Sequence, residues 1–201
     1  MKIGIFIEPK YENLKIIRIW KKLIRKNFKD QKYLNHPPHL TIAVFDFKKK
    51  IVINDLKNSF KRIRLKKIYV RILKSSIFYN DPITKGDTLH FVVKKNKELT
   101  NLQKKILKKS TEYSGLIMRK KKLKDKKFNS NLKKFGYPFA GKEWLPHFTI
   151  ASIKGKLKTK NIIFNKFLKQ KVTKKLFKVD NFSVWQITGE KHRKIFRVEL
   201  L

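Results

Sequence analysis

The 201-residue sequence contains no cysteine, which excludes disulfide bonds, thiol nucleophiles and zinc sites with cysteine ligands. Long apolar runs are missing too. The N-terminal run is broken by Glu8 and Pro9, and the later runs reach only four or five residues. A helix that spans a membrane needs about 20 apolar residues. We therefore predict a soluble, cytoplasmic protein with neither a signal peptide nor a membrane span.

Acidic residues are scarce. The chain has 14 Asp and Glu against 53 Lys and Arg, a formal charge of +39 at pH 7. A field of this sign attracts polyanions, so RNA, DNA, nucleotides and anionic lipid are the candidate partners. Lysine contacts phosphate as a point charge and does not read bases, so the charge favours affinity rather than specificity. An AT-rich coding sequence would explain part of the lysine content equally well, but not the shortage of acids.

Hydrophobic residues make up 41% of the chain and include 16 Phe, which indicates a globular protein with a substantial core. The length suits a single domain over residues 1–201, built from two similar lobes. Periodicity and turn signals predict strands over 2–8, 39–47, 65–79, 87–94, 177–188 and 194–200, and helices over 11–28, 51–63, 97–113 and 160–170. This order predicts an α+β fold with an internal duplication, in which the second half lacks an opening strand.

Residues 119–144 form a lysine-rich excursion that interrupts the pattern, and we predict at most partial helix there. Within it, GYPFAGKE (136–143) nearly fits a phosphate-binding loop. However, Glu143 stands where a magnesium-binding hydroxyl is needed, and Pro138 has no N–H to offer a phosphate. A lid over a cleft is the better interpretation. The aromatic side chains of this stretch would either stack on a base or pack against the rim.

The most informative feature is a repeated hexapeptide: PHLTIA begins at Pro38 and PHFTIA at Pro146. Residues two apart on a strand share a face, so each histidine lies beside a threonine, His39 with Thr41 and His147 with Thr149. The residues between them suit the core. A lone histidine on a strand is usually structural, but a matched pair of polar faces is expensive to keep without a function.

Two facing His–Thr pairs suit one type of reaction. If the lobes pack around a pseudo-twofold axis, the pairs face each other across a cleft. An in-line displacement at phosphorus removes a proton on one side and supplies one on the other, and histidine does both near neutral pH. The threonine hydroxyls can donate to non-bridging phosphate oxygens. No metal or other cofactor is required.

The paired His-x-Thr motifs on strands half a chain apart resemble the two-histidine (2H) phosphoesterase superfamily, including the LigT-like RNA 2',3'-cyclic phosphodiesterases once named 2'-5' RNA ligases. The segments TLHFVVKKNKELTNLQKKI and NFSVWQITGEKHRKIFRVEL also resemble parts of this family. The resemblance implies that His39 and His147 are the acid–base pair and that Thr41 and Thr149 bind phosphate. Many relatives carry an arginine five residues after the second histidine; here that position is Ser152, and the nearest cation is Lys154.

Three further histidines are assigned from the sequence alone. We place His36 in a loop and His192 in a turn. His90 either faces the cleft or is a hydrogen-bonded core residue, and we favour the core. The expected function is a monomeric, metal-independent phosphodiesterase that acts on cyclic phosphates or 2'-5' linkages of RNA or nucleotides. The alternatives are a non-catalytic module that binds RNA ends and a 2'-5' RNA ligase.

Overall fold

The structure is a computed structural model that describes residues 1–8, 11–29, 31–47, 53–81, 83–112, 126–154, 160–172, 176–189 and 191–200. Its strands are β1 (Lys2–Ile7), β2 (Leu40–Asp46), β3 (Ile68–Val70), β4 (Ile72–Asp81), β5 (Gly86–Val93), β6 (His147–Ile153), β7 (Phe177–Val179), β8 (Asn181–Thr188) and β9 (Lys191–Glu199). Its helices are α1 (Tyr11–Asn27), α2 (Ile53–Lys61), α3 (Lys97–Thr111), α4 (Lys127–Phe135) and α5 (Lys160–Leu168). None of the helices in the described ranges is long and apolar enough to cross a membrane.

Seven strands form one antiparallel sheet in the order β4-β5-β6-β2-β1-β8-β9, and β3 pairs with β7 in a small second sheet. The α+β prediction is therefore confirmed. The two strands that carry the repeated hexapeptide, β2 and β6, are neighbours at the centre of the sheet. Each half of the large sheet extends outward from one of them.

The duplication has a different boundary from the predicted one. The first repeat is β1-α1-β2-α2-β3-β4, and the second is β5-α3-β6-α5-β7-β8 with α4 inserted. The second half therefore does have an opening strand, β5, which the sequence pattern had assigned to a hairpin of the first half. That hairpin joins the two repeats. The last strand of each repeat crosses over: β4 pairs with β5, and β8 pairs with β1.

Each repeat contains the same β-bulge. Ile5 and Phe6 of β1 pair with Ala43 and Thr41, so Ile42 is an extra residue on β2. Leu89 and His90 of β5 likewise pair with Ala151 and Thr149, so Ile150 is extra on β6. At a bulge, two successive side chains can face the same side, and both Ile–Ala pairs are fully buried: Ile42, Ala43, Ile150 and Ala151. The bulge explains why the duplicated hexapeptide ends in Ile-Ala.

The end of the 119–144 excursion is packed rather than open. Helix α4 ends at Gly136, whose φ of 66° is the left-handed conformation that glycine adopts without strain. Tyr137 is buried against Phe45 and Phe139, so its ring packs in the core and is not available to stack on a base. A short 3₁₀ turn over Gly141–Glu143 leads towards β6. Residues 119–125, where the rest of the predicted lid falls, lie outside the described residues.

Candidate active site

A local twofold axis passes between the two motif strands. Leu40 of β2 pairs with Phe148 of β6, and these are equivalent positions of the two hexapeptides. An antiparallel pair in which equivalent residues lie opposite each other is what a twofold axis requires. His39 and His147 each immediately precede this pair, so they lie diagonally across the axis from each other.

The predicted division of faces is correct. The side chains of Leu40, Ile42, Phe148 and Ile150 are completely buried on the helical side of the sheet. The four predicted site residues, His39, Thr41, His147 and Thr149, are all partly exposed on the other side. The structure therefore brings the two His–Thr pairs together at the centre of one open face.

Both imidazoles are held in the same way. The Nδ1 atom of His39 lies 2.7 Å from the carbonyl oxygen of Pro37, and Nδ1 of His147 lies 2.7 Å from that of Leu145. A carbonyl only accepts, so Nδ1 must be the protonated nitrogen and the neutral ring keeps its lone pair on Nε2. In each motif the intervening residue is proline, which holds the residue before it in an extended conformation. The proline of the hexapeptide thus helps to aim the carbonyl that fixes the tautomer.

On the β2 side, His39 lies among rings and positive charge. Its ring centroid is 4.1 Å from that of Phe6 and 5.8 Å from that of His192, and His36 is 4.3 Å from His192. The pKa of His39 is lowered to about 3, mainly by burial, with His192, His36 and Lys21 acting in the same direction. The hydrogen bond to Pro37 opposes this shift without reversing it. His39 is therefore neutral at pH 7.

On the β6 side, His147 has a different environment. Its ring centroid lies 5.1 Å from that of His90 and 5.2 Å from that of Phe78, and Phe78 stacks on His90 at 3.7 Å. Burial lowers the pKa of His147, while the nearby carboxylate of Asp81 raises it. Burial likewise lowers the pKa of His90 to about 4, and the charge of His147 lowers it as well.

The two sides are equivalent in backbone but not in chemistry. Phe6 pairs with Thr41 and His90 pairs with Thr149, so Phe6 and His90 occupy equivalent positions. A carboxylate, Asp81, acts on the β6 side, whereas the ionisable groups that act on His39 are all basic. The fold therefore repeats the two histidines but gives them opposite electrostatic surroundings.

Ser152, at the position where relatives carry arginine, belongs to a buried hydroxyl network. Its Oγ donates to Thr84 at 2.6 Å, Thr84 lies 3.3 Å from Thr88, and Thr88 donates to Asp81 at 2.7 Å. An arginine would not fit among these groups without displacing them. The main-chain N–H of Lys154 donates to Gln31, and its exposed side chain is no buried replacement for the arginine.

The other three histidines are also at the site. His90 is buried, and its Nδ1 bonds to the carbonyl of Thr88, as predicted for a core residue, but its ring also contacts His147. His36 is in a loop as predicted. The turn assignment of His192 is wrong: it lies in β9, which begins three residues earlier than the predicted strand. The start of that strand, Lys191–Lys194, is entirely basic and shows no alternation with apolar residues, so no strand signal was present there.

Among the described residues, no three His, Asp or Glu side chains converge as a metal site requires. A cavity of about 360 Å³ beside Glu8 is lined by groups of both signs, including Lys178, Asp180, Arg197 and Glu199, and by none of the histidines.

Sequence reasoning missed the residues that hold the two motifs. Lys21 interrupts the apolar face of α1 between Ile17 and Ile24 and is buried with its ammonium group at loop carbonyls. A lysine on a buried helical stripe was the available signal. Lys95, which contacts the loop before His147, lies in a connection with no pattern that could have identified it.

Comparison with known proteins supports the fold and the family. The family model of the 2'-5' RNA ligase superfamily matches residues 12–191. Similar solved structures include TT0787 of Thermus thermophilus, with 12% identity and a TM-score of 0.68 over 100% of this chain and 98% of that one. E. coli LigT with 3'-AMP has 13% identity and a TM-score of 0.57 over 99% of this chain and 97% of that one. Kluyveromyces marxianus Usb1 is also similar, with 8% identity and a TM-score of 0.50 over 99% of this chain and 98% of that one. No curated protein matches the sequence. The match over most of the chain, with the fold and the paired motifs, shows that the protein belongs to the 2'-5' RNA ligase superfamily, the group of two-histidine phosphoesterases that its sequence resembles.

Proposed function

We propose that the protein hydrolyses cyclic phosphates, 2',3'-cyclic phosphates above all, or 2'-5' phosphodiester bonds in RNA or nucleotides, by acid–base catalysis with two histidines. The observation that carries the proposal is the matched pair of imidazoles. Each sits on one of two central strands related by a twofold axis, donates from Nδ1 to a carbonyl at 2.7 Å, and has a threonine on the same face. E. coli LigT has been solved with 3'-AMP, which supports a nucleotide-sized ligand at this face.

The two sides favour different proton roles. In the opening of a 2',3'-cyclic phosphate, His39 accepts the proton of the attacking water at Nε2, and the oxygen of that water bonds to phosphorus. His147 donates a proton from Nε2 to the ribose oxygen as its bond to phosphorus breaks. The basic groups around His39 keep it neutral before the reaction, and Asp81 favours the protonated form of His147. Thr41 and Thr149 donate to the non-bridging oxygens, where charge builds up.

The positive surface supports an anionic substrate but does not select one. The charge of +39 is spread over the whole chain, and phosphate contacts made by lysine release counterions whatever the base sequence. The hydroxyl network at Ser152 supports a phosphate pocket that differs from that of relatives with an arginine there. A monomer in the cytoplasm without a required cofactor remains our prediction.

The test is a short RNA that ends in a 2',3'-cyclic phosphate, incubated with protein in EDTA. We expect ring opening by the native protein, a loss of about 10²- to 10⁴-fold in kcat for His39→Ala and for His147→Ala, and of about 10²-fold for Thr41→Val. Because all five histidines lie at the site, the control is Thr188→Val at the exposed end of β8, which should keep native activity.

Three results would redirect the proposal. Binding without ring opening, of this RNA and of a panel of 2'-5' oligonucleotides and cyclic mononucleotides, would identify a module that holds RNA ends. Joining of the cyclic end to an added acceptor would identify a ligase. Full activity in either histidine variant would refute the two-histidine mechanism itself.

A further inference from the structure

We propose that two lysines, Lys21 and Lys95, are positioning residues for the two histidines, each fixing the loop whose carbonyl sets an imidazole tautomer. This inference rests on the proposed function for its catalytic consequence. The positioning itself is independent of what the site does.

The first contact is in the loop before His39. Lys21 projects from α1 and is 7% exposed, and its Nζ donates to the carbonyl oxygens of Tyr33, Leu34 (3.3 Å) and His36 (2.9 Å). An ammonium group has three donors, so all three are used. His36 is three residues before His39, and the next carbonyl along the chain, that of Pro37, accepts from Nδ1 of His39.

The second contact repeats this arrangement from an unrelated position. Lys95 lies just before α3, and its Nζ donates to the carbonyl oxygens of Gly141 and of Trp144, the latter at 3.2 Å. Trp144 is three residues before His147, and the next carbonyl, that of Leu145, accepts from Nδ1 of the histidine. In both repeats, therefore, the carbonyl three residues before the histidine binds a lysine and the carbonyl two residues before it binds the imidazole.

The two lysines do not occupy equivalent positions in the two repeats. Lys21 is in the third turn of the helix that follows β1, whereas Lys95 lies between β5 and the helix that follows it. The loops before the two histidines thus receive their ammonium contacts from different elements. A shared geometry reached from two starting points indicates that the loop carbonyls need a cation for the site to work.

Burial makes Lys21 costly to keep for packing alone. Removing an ammonium group from water is strongly unfavourable, and Arg25 is a second positive charge beside Lys21. Burial lowers the pKa of Lys21 to about 8 and also lowers that of Lys95. Methionine or leucine would fill the position of Lys21 with less penalty. What only a cation supplies is strong hydrogen bonds to several carbonyls at once.

The experiment compares Lys21→Met and Lys95→Met, which keep an unbranched apolar stem and remove the donors. The matched controls are the exposed neighbours Lys22→Met and Lys94→Met. Imidazole ¹⁵N spectra, recorded near pH 7, where Lys21 is still charged, report the tautomer of each histidine, and kcat and KM are measured on the cyclic-phosphate RNA. The native protein must show the Nδ1–H tautomer at His39 and His147, although a free imidazole side chain in water prefers Nε2–H.

We expect each methionine variant to change one histidine only. Lys21→Met mixes the tautomers of His39 and leaves His147 native, and Lys95→Met does the reverse. In both, kcat falls by about 10- to 100-fold, a range typical of lost second-sphere contacts, while KM changes by less than about threefold. The controls match the native protein in spectra and rates.

Other outcomes overturn the proposal. A methionine variant that is merely less stable, with a native tautomer and native kcat, would make its lysine a structural residue. An Nε2–H tautomer of His39 or His147 in the native protein would also overturn the proposal. This measurement needs no variant, so it decides the question even if a variant does not fold. Absence of phosphodiesterase activity in the native protein would refute the proposed function and leave the spectra to decide on the lysines.

Discussion

Gln103 connects the two halves of the site, and its removal should cost stability in a way that can be calculated. It is completely buried on α3. Its Nε2 donates to the carbonyl of Ile42 at 3.0 Å and to that of Phe139 at 3.1 Å, and its Oε1 accepts from the N–H of Gly141 at 3.1 Å. Ile42 is the bulge residue next to Thr41, so its carbonyl has no regular place in the ladder.

Gln103→Leu keeps the volume and leaves three backbone groups without this partner. A buried polar group that loses its partner costs about 1–3 kcal/mol, and a partly exposed one about 1 kcal/mol. Burial of leucine in place of an amide returns about 1 kcal/mol. We therefore expect a net loss of about 2–4 kcal/mol in the free energy of unfolding, a large share of the ~5–15 kcal/mol typical of a domain.

The assay is equilibrium urea unfolding at pH 7, with Lys104→Leu as the control because Lys104 is the exposed neighbour on the same helix. The midpoint should fall in Gln103→Leu with an unchanged slope, and the control should stay within about 0.5 kcal/mol of the native protein. A loss below about 1 kcal/mol in Gln103→Leu would show that water or relaxation satisfies the bulge, and would refute the view that Gln103 holds β2 to the segment before β6.

Three further predictions concern pH and backbone. Burial lowers the pKa of His90 to about 4, so the folded state binds fewer protons than the unfolded state between pH 6.5 and 4 and loses stability as the pH falls. His90→Phe should remove about 3 kcal/mol of this acid destabilisation, measured by urea unfolding at pH 7 and pH 4. The same pH dependence of unfolding in the variant and the native protein would contradict the prediction. Burial lowers the pKa of His147, so the alkaline limb of the kcat/KM profile should lie below the ordinary imidazole pKa. The alkaline limb of the kcat profile should lie at higher pH, because bound phosphate favours the imidazolium form. Coincident limbs would count against His147 as the general acid. Gly86→Ala places Cβ 2.7 Å from the carbonyl oxygen of Ile153, whereas the Cβ of Gly189→Ala meets no described atom within 4 Å. Gly189→Ala should cost about 1–2 kcal/mol through the φ of 59° alone, and Gly86→Ala should lower the free energy of unfolding by more.

The face of each motif strand could be predicted because side-chain alternation is local. His39 and Thr41 lie on the open side and Leu40 on the buried side, as a period of two requires. The equivalent residues of the second repeat are arranged in the same way. Strict alternation fails at Ala43, two residues after Thr41. Ile42 and Ala43 are both buried because of the bulge, and nothing in strict alternation indicates an extra residue. The Ile-Ala pair at the end of both hexapeptides was the sequence feature that corresponds to this bulge.

The repeat boundary and the surroundings of the histidines depend on long-range pairing and were not predictable in the same way. The exchange of β4 and β8 between repeats is decided by which strands pair, and a hairpin pattern looks the same whether it lies within a repeat or joins two. His192 reaches the ring cluster of His39 only because β9 returns beside β8. Residues from opposite ends of the chain meet there, and no local signal records that meeting.

The pair of motifs explains why symmetry alone would not be enough for this chemistry. An in-line displacement has two different ends, one that loses a proton and one that gains a proton, whereas a duplicated fold supplies two equal imidazoles. The chain distinguishes them at the position next to each threonine, where one repeat has Phe6 and the other has His90, and through the carboxylate of Asp81 on the second side only. The equal parts of the site, the tautomer contacts and the bulges, set the geometry. In the mechanism that we propose, the unequal parts assign the direction in which the proton moves.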